Sequence, residues 1–261
     1  MADTSGAYAE EILIGQAIVW GEGWLSPGGE EEVASIVEGL DLSGRTILEI
    51  GSGLGGAAVA LVENHEAGRI VSIDIQTEQA MLSRQLATER GVSDRVTFEV
   101  VEPGPLPFAG ASFDVVFSMG VFVHIPDKPS LFTDIVGVLR PGGTLTANDW
   151  LRGGDGPFSA EMLAFSEIDD RTYTWATADE TRDALKQAGF TDIVVRDRQQ
   201  WFLDVLRTDI ERMEAGSVRD RLIEAFDMEV AEAWLTNWRQ MEMLAVRGEI
   251  CLIQLRASKP T

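Results

Sequence analysis

The sequence predicts an α/β protein with a doubly wound, mostly parallel sheet, and three observations carry that expectation. The first is a glycine turn. The apolar run Thr46-Ile47-Leu48-Glu49-Ile50 leads into Gly51-Ser52-Gly53-Leu54-Gly55-Gly56, and Ala57 to Glu63 then reads as helix. Strand, tight turn and helix in that order let the backbone approach a nucleotide closely, because no Cβ stands in the way. The second is Ile70-Val71-Ser72-Ile73-Asp74-Ile75, a buried strand with an acid near its tip, placed to hydrogen-bond a ribose diol. The third is an alternation of strand-like and helical segments that continues to about residue 197, the pattern of βαβ units.

Taken in order, Tyr8 to Trp20 reads as a helix and Gly21 to Gly29 as a loop. Glu30 to Leu40 is a second helix, with Val33, Ile36, Val37 and Leu40 at helical spacing. Residues 1–44 are therefore expected to form an N-terminal helical lid, and residues 45–197 the nucleotide-binding core. Asp179 to Gly189 is a further helix that Gly189 closes as a C-cap. Thr191 to Val195 begins the last strand pair. Residues 198–261 then supply a helical stretch with Trp201, Trp234 and Trp238, and a final strand over Ile250 to Ala257. A helical insertion ahead of the last strand would lie over the cleft as a cap.

Composition narrows the function classes. A chain of 261 residues can bury one sizeable core, as a single domain or a domain with a small cap. Net charge is -22, and lysine occurs only at positions 128, 186 and 259. So acidic a surface repels phosphate backbones, which argues against nucleic acid as a partner. It favours a small molecule, including a cationic one, or serves solubility alone. Cys251 is the single cysteine, so no intrachain disulfide forms and nothing points to an oxidising compartment. The polar, acidic stretch Met1 to Glu11 does not read as a signal peptide. No apolar run approaches the roughly 20 residues of a membrane span. The expected setting is cytoplasmic, as a monomer or weak homodimer.

The glycine turn lacks the G-x-G-x-x-G form, and Glu49 before it would repel a pyrophosphate but could meet a cation. E-x-G-x-G-x-G followed by a strand ending in Asp resembles the class I methyltransferases that bind S-adenosylmethionine. The resemblance runs on through Val100-Val101-Glu102-Pro103, Leu106-Pro107-Phe108 and Ser112-Phe113-Asp114-Val115-Val116-Phe117-Ser118 to Val138-Leu139-Arg140-Pro141-Gly142-Gly143. It implies a seven-stranded Rossmann-like methyltransferase fold, with S-adenosylmethionine as cofactor and S-adenosylhomocysteine as product. It also assigns the cofactor to Glu49, Gly51, Gly53, Asp74, Ile75, Glu102, Pro103 and Ser118. No metal is implied.

Two histidines are present. His65 lies among Glu63, Asn64 and Glu66 and reads as a surface residue, whereas His124 follows the fourth strand. Ligands of doubly wound sheets bind at the carboxyl ends of strands, so His124 falls at the cleft, as a general base or as a buried structural residue. Upstream, Trp20-Gly21-Glu22-Gly23-Trp24-Leu25-Ser26-Pro27-Gly28-Gly29 resembles the small phosphoethanolamine N-methyltransferases and their small-amine relatives. That resemblance implies a catalytic pair, Tyr8 with His124, with Leu25 and Ser26 lining the cofactor. It also places Trp150, Glu167, Arg171 and Tyr173 at the methyl acceptor.

Here the chain departs from the family. Trp150 and Glu167 stand where tyrosines are expected, and the C-terminal lysine is absent except for Lys259. Asn237 and Arg239 are the nearest polar candidates. A carboxylate near Trp150 and Trp175 suits a cation held by charge and ring faces better than it suits a phosphate. The leading expectation is N-methylation of a small amine. The alternatives are O- or C-methylation of a natural product, or a cofactor-binding protein without catalysis.

Overall fold

The computed structural model describes residues 10–167 and 173–261. Five parallel strands form one half of the architecture: β1 (Thr46–Ile50), β2 (Arg69–Asp74), β3 (Val96–Val100), β4 (Phe113–Met119) and β5 (Leu139–Leu151). β6 (Thr191–Asp197) and β7 (Cys251–Ser258) complete the sheet in the order β3-β2-β1-β4-β5-β7-β6, with β7 antiparallel to both neighbours. This is the expected doubly wound, mostly parallel seven-stranded sheet. The strand order reverses between β1 and β4, so their carboxyl ends open a crevice where ligands of such sheets bind.

Strand side chains alternate between two apolar layers, because successive Cβ atoms point to opposite faces. Ile47, Val115 and Phe117 pack with helices α2 (Gly29–Ile36), α3 (Gly56–His65) and α4 (Thr77–Glu89). Leu48 and Val116 pack on the other face with α5 (Lys128–Val138) and α7 (Ala178–Ala188). The helix expected over Glu30 to Leu40 is shorter than its apolar spacing suggests. It stops at Ile36, and Leu40 N–H then donates to Val37 C=O at 2.9 Å across a turn with Gly39 at φ 77°. α7 ends as expected, on Gly189 at φ 98°.

A third apolar cluster lies beyond the sheet. It joins α1 (Glu10–Trp20), α6 (Ala160–Ser166), α8 (Gln199–Glu214), α9 (Ser217–Ala225) and α10 (Met228–Val246). The two N-terminal helices therefore serve different layers: α1 packs with the C-terminal helices, and α2 with the sheet. A buried ion pair links these layers. Glu32 is fully buried, takes Arg198 Nη2 at 2.6 Å, and accepts from Gln254 Nε2 at 2.9 Å and Asn148 Nδ2 at 3.2 Å. Among the described residues, no helix is long and apolar enough to cross a membrane.

Candidate active site

The first half of the site is the glycine turn after β1. Gly51, Gly53 and Gly55 have φ of 84°, 49° and 89°, in the left-handed region that glycine adopts at least cost. A Cβ built on Gly51 would lie 2.3 Å from Val121 Cγ2, so that position also needs glycine for space. The turn is fastened to β2: Gly51 and Ser52 N–H both donate to Ile73 C=O, at 2.8 and 3.0 Å. Asp74 leans onto the same turn. Its carboxylate accepts from Gly53 N–H at 3.0 Å, from Gln76 N–H at 3.0 Å and from Ser52 Oγ at 3.5 Å.

Two acids thus share a poorly solvated corner. Burial raises the Glu49 carboxyl to about 8, against the lowering effect of the hydrogen bond from Ser72 Oγ, and Asp74 adds repulsion. Burial also raises Asp74 above the usual carboxylate range, opposed by its backbone donors. Desolvated carboxyls of this kind favour a ligand that brings ammonium and hydroxyl donors. S-adenosylmethionine has both and no phosphate, so the residues fit it.

The remaining cofactor candidates separate by exposure. Ile75, Glu102 and Pro103 are exposed at the tips of β2 and β3. Leu25 lies over the turn, 3.3 Å from a Cβ built on Gly53, and Leu25 and Ser26 both border the large cavity described next. Ser118 is fully buried and donates to Ile50 C=O at 2.8 Å, so its hydroxyl is committed to joining β4 to β1.

The second half is a cavity of about 510 Å³ beside the strand ends. Its floor comes from Ser26, Gly120, His124 and Trp150, and its roof from α1 and α10 through Gln16, Trp20, Trp234 and Asn237. The roof closes because Gly15 carries no side chain: a Cβ there would sit 2.0 Å from the Trp234 ring. His124 ends a short 3-10 turn, Phe122–His124, directly after β4. Its ring centroid is 5.0 Å from that of Tyr173, which stacks on Trp175 at 5.2 Å and 8°.

Four hydrogen bonds hold this turn against β5 and the Tyr173 segment. Thr174 N–H donates to Val123 C=O at 2.6 Å, and Val123 N–H donates to Asp149 Oδ1 at 3.1 Å. Lys128 Nζ donates to Ile125 C=O at 3.2 Å and to Thr174 C=O. Burial lowers the Lys128 ammonium, with Asp149 and Glu180 opposing, and burial raises Asp149 to about 7.

The structure thus brings Leu25, Ser26, His124, Trp150 and Tyr173 to one cavity, with Asp74 and Glu49 at the adjoining turn. Glu167 is exposed at the C-cap of α6 and does not border the cavity. Tyr8 and Arg171 lie outside the described residues. Sequence reasoning passed over Gln16 and Lys128. Each carried a signal: a lone amide in the apolar stretch Ile12 to Val19, and one of three lysines in the chain.

Comparison with known proteins agrees with this arrangement. Residues 48–147 match the family model described as "Methyltransferase domain". The chain is 34% identical over 222 residues to phosphoethanolamine N-methyltransferase 1 of Arabidopsis thaliana, covering 85% of this chain and 44% of that protein. It is 32% identical over 232 residues to the Triticum aestivum enzyme, covering 88% and 44%. It therefore spans less than half the length of these relatives. Among solved structures, Haemonchus contortus phosphoethanolamine N-methyltransferase 2, in complex with phosphomonomethylethanolamine and S-adenosylhomocysteine, superposes with a TM-score of 0.88. That match has 24% identity and covers 97% of this chain and 59% of the other. With its glycine turn and strand order, the chain carries a methyltransferase domain over residues 48–147 and resembles, over most of its length, the phosphoethanolamine N-methyltransferases.

Proposed function

We propose that this chain transfers a methyl group from S-adenosylmethionine to the amine nitrogen of a small molecule. The observation that carries the reading is the placement of His124: it stands on the floor of an aromatic cavity whose other edge, Leu25 and Ser26, adjoins the glycine turn. In this reading Glu49, Gly51, Gly53, Asp74, Ile75, Glu102 and Pro103 hold the cofactor. Asp74 takes the ribose and Glu49 faces the amino-acid end. Bound there, the cofactor supplies a methyl group on a sulfonium, which an in-line nucleophile displaces to leave S-adenosylhomocysteine.

The chain's own residues do the rest. An amine near neutral pH is an ammonium without a lone pair, so a base must take a proton before attack. His124 takes it at a ring nitrogen, with Tyr8 as its assistant, and the freed lone pair forms the new N–C bond. Tyr173 orients the far end of the acceptor. The stacked Tyr173–Trp175 pair lines the cavity beside His124.

A second reading, O- or C-methylation of a bulkier acceptor, draws on the apolar walls under α10. One experiment separates the two. The protein is incubated with S-adenosylmethionine and a panel of amines, phosphoamines, phenols and carboxylic acids, and S-adenosylhomocysteine release is followed by mass spectrometry. Turnover on amines supports the proposal; turnover confined to phenols or carbon acids overturns it.

A further inference from the structure

We infer that the acceptor side of the site is built for an organic ammonium that carries no phosphate. This rests on the amine reading above and names its substrate class. Among the described residues, the cavity is bordered by no lysine, arginine, aspartate or glutamate. The C-terminal cations that could grip an anion are engaged elsewhere. Arg239 pairs with Glu214 at 2.6 Å on an exposed face. Lys259 Nζ donates to Val136 and Leu139 C=O, each at 2.7 Å.

What the cavity does offer suits a cation. Trp20, Trp150, Tyr173, Trp175, Trp234 and Trp238 border it, and ring faces attract an ammonium most strongly where water is excluded. Trp20 Nε1 donates to Asp209 Oδ2 at 2.9 Å, and a carboxylate on the indole N–H makes that ring a better partner for positive charge. Among the described residues, two amide oxygens of the cavity lining, Gln16 Oε1 and Asn237 Oδ1, are buried without a hydrogen-bond partner; Gln16 is 5% exposed. A buried acceptor left unpaired is destabilising, and a ligand's N–H or polarised N–CH₃ groups relieve that penalty. A phosphate would face these same oxygens with like charge. The net charge of -22 works in the same direction, by drawing cations towards the molecule.

The test is a binding series that does not depend on turnover. Choline and 3,3-dimethylbutan-1-ol share one shape and differ in charge, and phosphocholine adds a phosphate to choline. Each is titrated by calorimetry into the full chain saturated with S-adenosylhomocysteine, with tryptophan fluorescence as a second readout. Choline is expected to bind at least tenfold more tightly than either of the others. Gln16→Leu should weaken choline severalfold, and Asn237→Lys should move the preference towards phosphocholine. Phosphocholine binding as well as choline, or the neutral isostere doing so, overturns the inference, whether or not the variants fold. The two readings fail separately. Choline selectivity without turnover of any amine leaves the ammonium pocket standing and removes N-methylation. Turnover of phosphoethanolamine with tight phosphocholine binding does the reverse.

Discussion

The glycine turn and the aromatic cavity adjoin each other but are assembled in opposite ways. The turn uses residues 49–55 with Asp74, close in sequence and fastened by backbone bonds such as Gly51 N–H to Ile73 C=O. The cavity draws on α1, the turn after β4, the end of β5, residues 173–175 and α10. A local device keeps its chemistry wherever the sheet forms. A long-range one depends on every layer closing, and single side chains can change what it accepts.

Substitutions on the two sides should therefore separate cofactor affinity from turnover. The largest effect is expected from His124→Ala. Turnover should fall by ~10²- to 10⁴-fold, the range for a lost general base, with cofactor affinity by calorimetry unchanged. Equal loss of both would make His124 structural. Asp74→Ala should do the converse. It removes the carboxylate at the turn and should weaken cofactor binding by about 1–3 kcal/mol, roughly 5- to 150-fold, while acceptor KM stays in place.

Lys128→Met tests whether the cavity is held from behind. The ammonium ties Ile125 C=O to Thr174 C=O, so its loss should let the His124 turn and the Tyr173 segment separate. Misplacement on that scale can cost ~10- to 100-fold in turnover. A rise in acceptor KM, with the cofactor Kd unmoved, would locate the damage on the cavity side.

The smallest expected effect is a pH slope in the cofactor-free chain. Glu49 has a folded value of about 8, above its ordinary 4.5, so the folded state holds a proton that the unfolded state releases. Stability from this group is full below about 4.5 and is lost as pH rises towards 8. Asp149, at about 7, acts with the same sign at lower pH. Thermal midpoints should decline from pH 5 to about 8, and Glu49→Gln should remove its part of that slope throughout the range, leaving the Asp149 share below about 7. An unchanged slope in the variant would exclude Glu49 as its source.

Much of the fold was legible in the sequence because its signals are local. Short apolar runs such as Thr46 to Ile50, the glycines at 51, 53 and 55, and the C-cap at Gly189 each act within a few residues. The boundary at Ile36 was less legible: Val37 and Leu40 fit the apolar spacing, yet they pack from a turn rather than a helix. Trp234 and Trp238 read equally as packing or as cavity wall, and their stacking at 5.2 Å does both.

By itself, then, the sequence determined the layer order, the glycine turn and the acids beside it, since hydrophobic period and backbone sterics write these into neighbouring residues. Only the tertiary structure decided that α1 and α2 serve different layers. It alone placed Gln16 and Asn237 in one cavity and committed Lys259 elsewhere. Those outcomes depend on contacts between segments far apart in the chain, such as the Trp234 ring against Gly15, and such contacts leave no periodic trace.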